Sequence, residues 1–345
     1  MLKNSKRISG KASSFALSRY FNYVEWIVMK VAVLGGSGFL GRNLIADLSC
    51  HPAIDELVSA DLVVPESPFR LNSKVQFMQG DLGDHHFLVR AVDGCNVVWI
   101  KTGMLGGPQS ASVDLLAAYA CHNALTIKKI ADACVDAGVD LVCFDSTEQV
   151  FGTGKNPDVN CEAYEPSAPN YYGASKLIAE KILKSKMEQG CFKRGVKIFR
   201  YSRVREAVSE DAVTKMVRSA FLDQNIFIYG DPEQQIDYID MKDATKASVR
   251  ALWDTRRFSV YHFSTGSPIS LWELAHLVGH EVGRLIDSDI SITCLPSSAR
   301  KFQPLKLGMR VDETIETLQL PKFCSVHEMV LETVTHFNRL NSRLR

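Results

Sequence analysis

The sequence predicts an α/β protein with a parallel, doubly wound sheet and a smaller C-terminal α/β lobe. From Met29 onward, short β-branched or apolar runs alternate with longer helix-period segments, which indicates βαβ units. A glycine-rich turn joins the first predicted strand to the first predicted helix, and elements after about Ser202 become shorter and less regular. We therefore expect a first body over residues 29–200 and a substrate-binding lobe over 201–345, interleaved with the first.

The predicted elements follow in regular alternation along the first body. The predicted strands are short apolar runs: Lys30–Leu34, Glu56–Asp61, Val75–Met78, Asn96–Ile100, Val139–Asp145 and Val196–Tyr201. The predicted helices have apolar residues at helical spacing: Gly38–Ser49, Asp84–Val92, Val113–Ala137 and Tyr171–Glu188, then Asp211–Leu222, Met241–Trp253, Leu271–Gly283 and Val326–Leu340 in the later lobe.

Composition excludes several classes of protein. The 345 residues include 40 basic and 39 acidic side chains, and a net charge of +1 lacks the signature of nucleic-acid or membrane-surface binding. The apolar runs are too short to span a bilayer. Nine cysteines, an odd number without a CxxC pair, indicate buried thiols in a reducing compartment. We therefore expect a soluble, cytoplasmic protein without nucleic-acid or membrane partners.

The first 28 residues differ in composition from the rest of the chain. Their only acidic residue is Glu25, against five basic side chains, a bias that is typical of transit peptides. A disordered tail, or a start codon upstream of the real one at Met29, is the favoured interpretation. Met29 stands directly before the first strand-like run, which supports that choice.

A glycine pattern after the first predicted strand indicates a dinucleotide site. Gly35, Gly38 and Gly41 form a GxxGxxG spacing that opens a helix, with Phe39 and Leu40 between the last two. Glycines permit a tight turn and a close approach of the backbone to a pyrophosphate, and the helix N-terminus supplies free N–H groups. The strand–turn–helix context is the one this fingerprint requires. The first body is therefore predicted to be a Rossmann-type, NAD-binding domain.

Residues at the ends of the next strands extend the predicted cofactor site. Asp61 ends the second strand, where a carboxylate can accept ribose hydroxyls and repel a 2′-phosphate, so NAD is favoured over NADP. Arg42 is the contrary sign, although a surface helix residue is its simpler interpretation. Asp81 and Leu82 follow the third strand, where Asp81 could meet the adenine amino group or cap the next helix. Thr102 follows the fourth strand, at the edge where such sheets bind ligands.

A tyrosine and a lysine at helical spacing form the predicted catalytic pair. Tyr172 and Lys176 are separated by four positions, which places both side chains on one face of a helix. A lysine cation favours the phenolate and lowers the tyrosine pKa from its ordinary value near 10. Thr147 ends the fifth strand, where a hydroxyl could bind the substrate oxygen that gains or loses a proton.

In these motifs, the chain resembles the extended short-chain dehydrogenase/reductase family, the NAD-dependent epimerase/dehydratase group. The resemblance runs from about Met29 to Phe337. The family motifs occur in family order: GGSGFLG, Ser-Thr-x-x-Val-Phe-Gly, YGASK, Ile-Tyr-Gly-Asp at 228–231 and the segment at 237–244.

The resemblance implies roles for individual residues. Tyr172 would be the acid/base, Lys176 its ribose-bound partner and Thr147 the hydroxyl that bonds the reacting oxygen. Asn123 matches a family position that supports the site, although helix asparagines are often structural. Family members also commonly pair two helices across a two-fold axis, which implies a homodimer. Here the apolar positions for that pairing are Leu115, Leu116, Tyr119, Leu125, Leu177, Ile178 and Ile182.

Departures from the family pattern concentrate in the substrate half. Family dehydratases commonly carry a Glu where Gln149 stands, and an amide cannot act as a general base, so loss of water is disfavoured although Glu148 retains one carboxylate. Arg203 and Arg205 stand where an Asn and Val-Tyr-Gly are usual. These arginines and Arg300 could meet an anionic substrate, with solvated surface as the default for each.

The predicted function is NAD-dependent redox chemistry at a secondary alcohol or ketone, most naturally of a nucleotide sugar. Epimerase, reductase and dehydrogenase remain open alternatives at this point. A catalytically silent NAD-binding protein is the competing class. His276 and His280 lie one helical turn apart, but no third ligand accompanies them, so we expect no metal site.

Overall fold

A seven-stranded parallel sheet forms the centre of the protein. The structure, a computed structural model, describes residues 28–65, 73–107, 110, 112–151, 168, 170–296 and 308–344. The strands of the sheet are β1 (Met29–Leu34), β2 (Ile54–Asp61), β3 (Val75–Gln79), β4 (Val97–Ile100), β5 (Leu141–Thr147), β6 (Gly195–Tyr201) and β11 (Phe258–Phe263). Their order is β3-β2-β1-β4-β5-β6-β11, and every pairing is parallel.

This strand order confirms the predicted doubly wound fold. The chain moves outward from β1 to β3 and then returns to the other side of β1 with β4. In open sheets of this kind, ligands bind outside the carboxyl ends of the strands, where the strand order reverses. That position lies between the ends of β1 and β4, next to the glycine turn.

Helices cover both faces of the sheet and build the second lobe. In chain order they are α1 (Phe39–Ser49), α2 (His85–Val92), α3 (Leu116–Tyr119), α4 (Thr126–Asp136), α5 (Tyr171–Glu188), α6 (Ala212–Asp223), α7 (Met241–Ala251), α8 (Leu271–Ile286), α9 (Asp312–Leu318) and α10 (Val326–Leu344). Side-chain caps fix several starts: Asn170 accepts from the Gly173 N–H, and Ser270 forms a capping box with Glu273.

Alternate residues of the strands divide the core into two layers. Val98 and Phe144 pack with apolar residues of α2, α4 and α5. Trp99 and Phe199 face the opposite side, with residues of α1 and α7. Both faces of a parallel sheet are covered in this way, which is why its strands are apolar throughout.

The C-terminal lobe has its own apolar cluster and three two-stranded sheets. The cluster joins α6, α8 and α10. The paired strands are β7 (Arg203–Arg205) with β10 (Tyr238–Asp240), β8 (Asn225–Tyr229) with β13 (Ser291–Leu295), and β9 (Gln235–Ile236) with β12 (Ile269–Ser270). Strand β11 lies beyond residue 201 in sequence yet completes the central sheet.

The helix predicted over Val113–Ala137 is wrong as a single continuous element. A 3₁₀ turn (Val113–Leu115), α3, a π-helix (Ala120–Leu125) and α4 follow one another there. The π-helix inserts extra backbone, a feature often found at functional sites. Strand β5 also begins two residues later than predicted, because the Val139 N–H bonds to Cys134 O and closes α4.

The described ranges contain neither a membrane-spanning helix nor a metal-binding cluster of side chains. Every helix there is too short or too polar to cross a lipid bilayer. The same ranges contain no group of three or more His, Cys, Asp or Glu side chains that could hold a metal ion.

Candidate active site

The glycine turn lies at the end of β1 and leads directly into α1. Gly35 has φ = 93°, a conformation that favours glycine. A Cβ on Gly41 would lie 2.2 Å from the carbonyl oxygen of Gly35, so only glycine allows α1 to start this close to the strand. Gly38 is the N-cap of α1 and has no side-chain cap, which leaves the first N–H groups available for an anion.

The carboxylate of Asp61 contacts this turn. One carboxylate oxygen accepts from the Ser37 N–H at 2.9 Å, and the other accepts from the Val63 N–H at 3.1 Å. The carboxylate thus joins the end of β2 to the glycine turn. Its predicted contact with a ribose stays a prediction.

The other predicted cofactor residues occupy the same edge of the sheet. Asp81 accepts from the Gly83 N–H at 2.7 Å, while the cap of α2 is Asp84, so Asp81 does not serve as that cap. Leu82 beside it is buried. The backbone of Thr102 contacts the glycine turn, because a Cβ on Gly35 would lie 2.8 Å from its nitrogen.

The three predicted catalytic side chains converge where β5 ends and α5 begins. Thr147 is the last residue of β5 and Tyr172 the second residue of α5. Thr147, Tyr172 and Lys176 are only 7%, 7% and 6% exposed. Burial raises the pKa of Tyr172 to about 12, although a hydrogen bond with Thr147 opposes that rise. The phenol is therefore protonated at neutral pH in the protein alone.

Lys176 is held by the strand that carries Thr147. Its ammonium donates to the carbonyl oxygen of Asp145 at 3.0 Å and lies 4.9 Å from the ring centroid of Phe144. Burial lowers the pKa of Lys176 to about 8, partly offset by the negative charges of Asp145 and Glu180. A lysine with this pKa changes charge close to neutral pH.

Asn123 fastens the loop after β4 over these residues. Its side-chain carbonyl accepts from the Met104 N–H at 2.7 Å, and its amide donates to Met104 O at 2.9 Å. The same amide donates to the Ser175 hydroxyl at 3.1 Å. The π-helix that carries Asn123 thereby connects the loop to α5. Sequence reasoning placed Asn123 near the site but did not predict this contact with the loop.

Glu148 is a buried carboxyl group next to Thr147. Among the described residues, its Oε2 atom has no hydrogen-bond partner. Burial, together with the negative charge of Asp237, raises its pKa well above the ordinary value, while Arg203 acts in the opposite direction. The side-chain oxygen of Gln149, the next residue, accepts a hydrogen bond from the Asn170 side chain at 3.1 Å. This bond links Gln149 to the N-cap residue of α5.

The three arginines predicted near the substrate have different positions. Arg203 is exposed on β7. The proposal for Arg205 needs correction, because its guanidinium is fully buried and donates to Asp211, Met329 O and Thr333. These partners tie β7 to α10 and leave the group unavailable to a ligand. Arg300 lies outside the described residues.

Three charged groups near the site were missed from the sequence. Lys101 and Asp145 form a buried ion pair, and a charge at the end of each of two adjacent apolar strands was the available signal. Asp237 is also buried and accepts hydrogen bonds from Thr265 and the Tyr238 N–H. Its pKa is raised by burial, although those hydrogen bonds lower it.

Relatives of known function share about half of the chain. The 3β-hydroxysteroid dehydrogenase/Δ5→4-isomerase of Monkeypox virus is 29% identical over 180 residues, 49% of this chain and 49% of that protein. The UDP-glucose 4-epimerase of Azospirillum brasilense is 30% identical over 161 residues, 45% of this chain and 44% of that enzyme. The chain therefore spans about half the length of these curated relatives.

Solved structures share the fold over most of the chain. UDP-glucuronic acid 4-epimerase from Bacillus cereus, in complex with UDP-glucuronic acid and NAD, has a TM-score of 0.75 at 20% identity. The aligned part covers 90% of this chain and 100% of that one. DesIV, a dTDP-glucose 4,6-dehydratase from Streptomyces venezuelae, has a TM-score of 0.76 at 18% identity, covering 91% and 98%.

A family model matches the segment that contains the glycine turn and all three catalytic candidates. The match covers residues 31–262 and is described as the NAD dependent epimerase/dehydratase family. That segment is well over half of the 345 residues. Sequence, fold and site therefore agree, and the chain belongs to the NAD dependent epimerase/dehydratase family.

Proposed function

We propose that the protein is an NAD-dependent oxidoreductase or epimerase that acts at a secondary alcohol or ketone of a nucleotide sugar. The observation that carries this proposal is the convergence of Thr147, Tyr172 and Lys176 at one end of the sheet. A pure NAD sensor requires the glycine turn and Asp61 but has no use for these three groups together. Solved structures of similar fold, one in complex with UDP-glucuronic acid and NAD and one of a dTDP-glucose 4,6-dehydratase, support the substrate class.

The residues at the glycine turn fit NAD. The turn is tightly packed at Gly35 and Gly41, where a Cβ would clash with neighbouring backbone, and α1 begins without a side-chain cap on its first N–H groups. A pyrophosphate would bind these N–H groups, Asp61 the adenosine ribose, and Asp81 with Leu82 the adenine. Lys176 and Thr102 would lie at the nicotinamide end. Bound NAD supplies the acceptor for the substrate hydride and can return it.

Tyr172 holds the proton that the reaction moves. Its phenol is protonated at neutral pH in the protein alone, so it is ready to donate to a ketone oxygen. For alcohol oxidation it must lose that proton, which the Lys176 cation favours. Thr147 bonds the same substrate oxygen and orients it. General acid–base assistance of this kind typically contributes 10²–10⁴-fold to the rate.

Glu148 is a further group proposed to contact the substrate. It follows Thr147 directly, its Oε2 atom has no hydrogen-bond partner among the described residues, and burial raises its pKa well above the ordinary value. A carboxyl group in this position is a candidate to hydrogen-bond a sugar oxygen. Gln149 provides no base, which favours redox chemistry or epimerisation over loss of water. Arg203, and Arg300 from the sequence alone, are the candidates for contact with a nucleotide diphosphate.

A homodimer of cytoplasmic location is part of the same proposal. Of the apolar side chains assigned to the pairing face, Leu116, Leu125 and Ile178 are exposed. Tyr119 does not belong to that face, because it is buried and its ring lies 5.7 Å from that of Tyr172. The three exposed side chains lie on the α3–α4 segment and α5, which are the helices expected to pair.

The test is to identify what the purified protein carries and converts. Mass spectrometry of the denatured protein should find NAD(H), and a panel of UDP- and dTDP-sugars should yield a change in nicotinamide absorbance or an isomerised product. A 3β-hydroxysteroid serves as the competing substrate class, since a relative acts on one. Turnover of the steroid alone would replace the nucleotide-sugar assignment. NAD binding without turnover of any substrate would favour the silent binder.

A further inference from the structure

A buried ion pair lies at the carboxyl ends of the neighbouring strands β4 and β5. The ammonium of Lys101 is 2.6 Å from one carboxylate oxygen of Asp145, and these side chains are only 1% and 7% exposed. The indole N–H of Trp99 donates to the other oxygen at 3.2 Å. Both oxygens of the carboxylate are therefore engaged, as a buried charge requires.

Fold stability alone does not account for this pair. Apolar residues of similar volume often stabilise a core as well as a buried ion pair does, because burial costs both charges their hydration. The surroundings of Lys101 suit such a replacement, since its ammonium lies 5.4 Å from the ring centroid of Trp99 and 5.6 Å from that of Tyr201.

Asp145 connects the pair directly to the proposed catalytic lysine. Its carboxylate holds Lys101, while its backbone carbonyl oxygen accepts from the Lys176 ammonium at 3.0 Å. A single residue therefore contacts both lysines, through different atoms. Asp145 also lies two positions before Thr147 on β5. A shift of Asp145 would therefore move both Lys176 and Thr147.

The charges that face Lys176 come from three elements. Asp145 on β5 and Glu180 on α5 favour its charged form, and Lys101 after β4 opposes it. Glu180 is itself paired, because Arg200 donates to both of its oxygens. Tyr172 lies on the same helix and is protonated at neutral pH. The balance between Lys101 and Asp145 is therefore the adjustable part of the field at Lys176.

We propose that Lys101 and Asp145 are positioning residues that fix the Lys176 ammonium and set the pH at which it loses its proton. Asp145 holds the ammonium through its carbonyl oxygen, and the Lys101 cation opposes the field of the Asp145 carboxylate at Lys176. The inference rests on the proposed function, in which Lys176 binds the nicotinamide ribose as a cation.

The pair predicts opposite effects for its two members. Lys101→Met removes a cation and leaves the Asp145 carboxylate, so Lys176 should stay protonated to higher pH. Asp145→Asn keeps the carbonyl oxygen and leaves the Lys101 cation, so Lys176 should lose its proton at lower pH. Each shift should be about one pH unit. The double variant removes both charges and should return close to the unaltered protein.

The measurement is the dissociation constant of NADH from pH 6 to pH 9.5, followed by fluorescence on the full chain. Binding should weaken by up to about tenfold per pH unit above a break near pH 8, where Lys176 loses its proton. Lys101→Met should move the break up and Asp145→Asn should move it down. Lys101→Arg, which keeps the cation, should restore the original break.

A remote pair provides the matched control. Lys197 is fully buried and pairs with Asp254 at 3.4 Å, beside the amino-terminal part of β6. Lys197→Met should weaken NADH binding, if at all, equally at every pH. A purely structural role for Lys101 and Asp145 would give the same uniform effect. If Lys101→Met does not fold, the direction in which the pH break shifts in Asp145→Asn tests the proposal on its own.

The outcomes separate this inference from the proposed function. A break that is present in the unaltered protein and absent in Lys176→Met supports the cationic role of Lys176. If that break then stays in place in Asp145→Asn and Lys101→Met, or moves the same way in both, the positioning role is overturned and the proposed function stands. Absence of NADH binding would overturn both, whereas NADH binding that never depends on pH would overturn the positioning role alone.

Discussion

Gly106 packs closely against the ring of Tyr172. A Cβ on Gly106 would be 2.4 Å from Cδ1 of Tyr172 and 2.7 Å from Cε1, distances that no side chain tolerates. The loop that carries Gly106 is held by Asn123 through Met104 and by the Tyr119 hydroxyl, which donates to Leu105 O at 3.3 Å. The ring of the proposed acid/base is therefore packed against the backbone of this loop.

This contact predicts that Gly106→Ala disturbs the site. The added methyl group must displace the loop or the Tyr172 ring, a change that typically costs about 1–3 kcal/mol in a well-packed region. Urea unfolding and NADH affinity should both report the loss. Gly107→Ala is the control, because a Cβ on Gly107 would meet no atom of the described residues within 4 Å. Equal behaviour of the two variants would contradict the packing argument.

Tyr172→Phe should abolish turnover and leave NAD binding nearly intact. The ring and its packing against Tyr119 are kept, and only the proton-carrying hydroxyl is lost, so the rate should fall roughly 10²–10⁴-fold. Thr147→Val should lose less, because it removes a hydrogen bond and no transferable proton. Tyr171→Phe, one position earlier on the same helix, is the control. Full activity of Tyr172→Phe on an established substrate would refute the assignment.

Asp61→Ala should narrow the preference for NAD(H) over NADP(H). Removal of the carboxylate ends its repulsion of a 2′-phosphate and also frees the N–H groups of Ser37 and Val63. We expect NADH affinity to fall by about tenfold or more, since hydrogen bonds to a charged group contribute roughly 1.5–3 kcal/mol. Titrations with both cofactors measure the ratio. Asp55→Ala, at the exposed far end of β2, should leave it unchanged.

His262 should make the fold sensitive to acid. Burial and the nearby Arg200 cation lower its pKa to about 3 from its ordinary value of 6.5, and its Nδ1 bonds to Arg310 O at 3.0 Å. Below about pH 6.5, His262 takes up a proton in the unfolded chain but stays neutral in the folded protein. The stability associated with neutral His262 is thus complete above pH 6.5 and is lost as pH falls toward 3, by up to about 1.4 kcal/mol per pH unit.

Urea unfolding between pH 4.5 and pH 7.5 checks this dependence. His262→Asn should lower stability at neutral pH, because it alters a buried contact, but its stability should fall less steeply with acid. His122→Asn changes an exposed histidine and should retain the steep slope. Parallel curves for all three proteins would mean that other groups cause the acid sensitivity.

Ile178→Glu should convert the proposed homodimer to a monomer. Ile178 is 50% exposed on α5, and a carboxylate buried at a pairing face without a partner opposes association. Light scattering at micromolar concentration reports the mass directly. Leu222→Glu is the control, since Leu222 is 71% exposed on α6 in the other lobe. A monomeric unaltered protein would end the proposal of a homodimer.

The parts of the site that sequence predicts are those encoded by local spacing. The glycine turn and the pair of Tyr172 with Lys176 each lie within one turn or helix, so a short pattern specifies them. The π-helix depends on long-range contacts, because Asn123 bonds to Met104 and Ser175. A local helical period cannot reveal such an insertion.

Side-chain direction on short strands is the other source of error. Arg205 lies on a strand of three residues, too short for a period to show which side is buried. Lys101 and Asp145 meet because β4 and β5 pair in register, with Ile100 opposite Phe144. The register becomes known only once the strands are assembled.

The double engagement of Asp61 has a consequence for redesign and for divergence of this protein. The carboxylate that should discriminate between the two dinucleotides also fastens the turn that must receive their shared pyrophosphate. A single substitution at Asp61 that changes cofactor preference would therefore weaken the binding of both NAD(H) and NADP(H). A variant that uses NADP well would need a second substitution to secure the Ser37 and Val63 N–H groups, so such a switch requires at least two coordinated mutations.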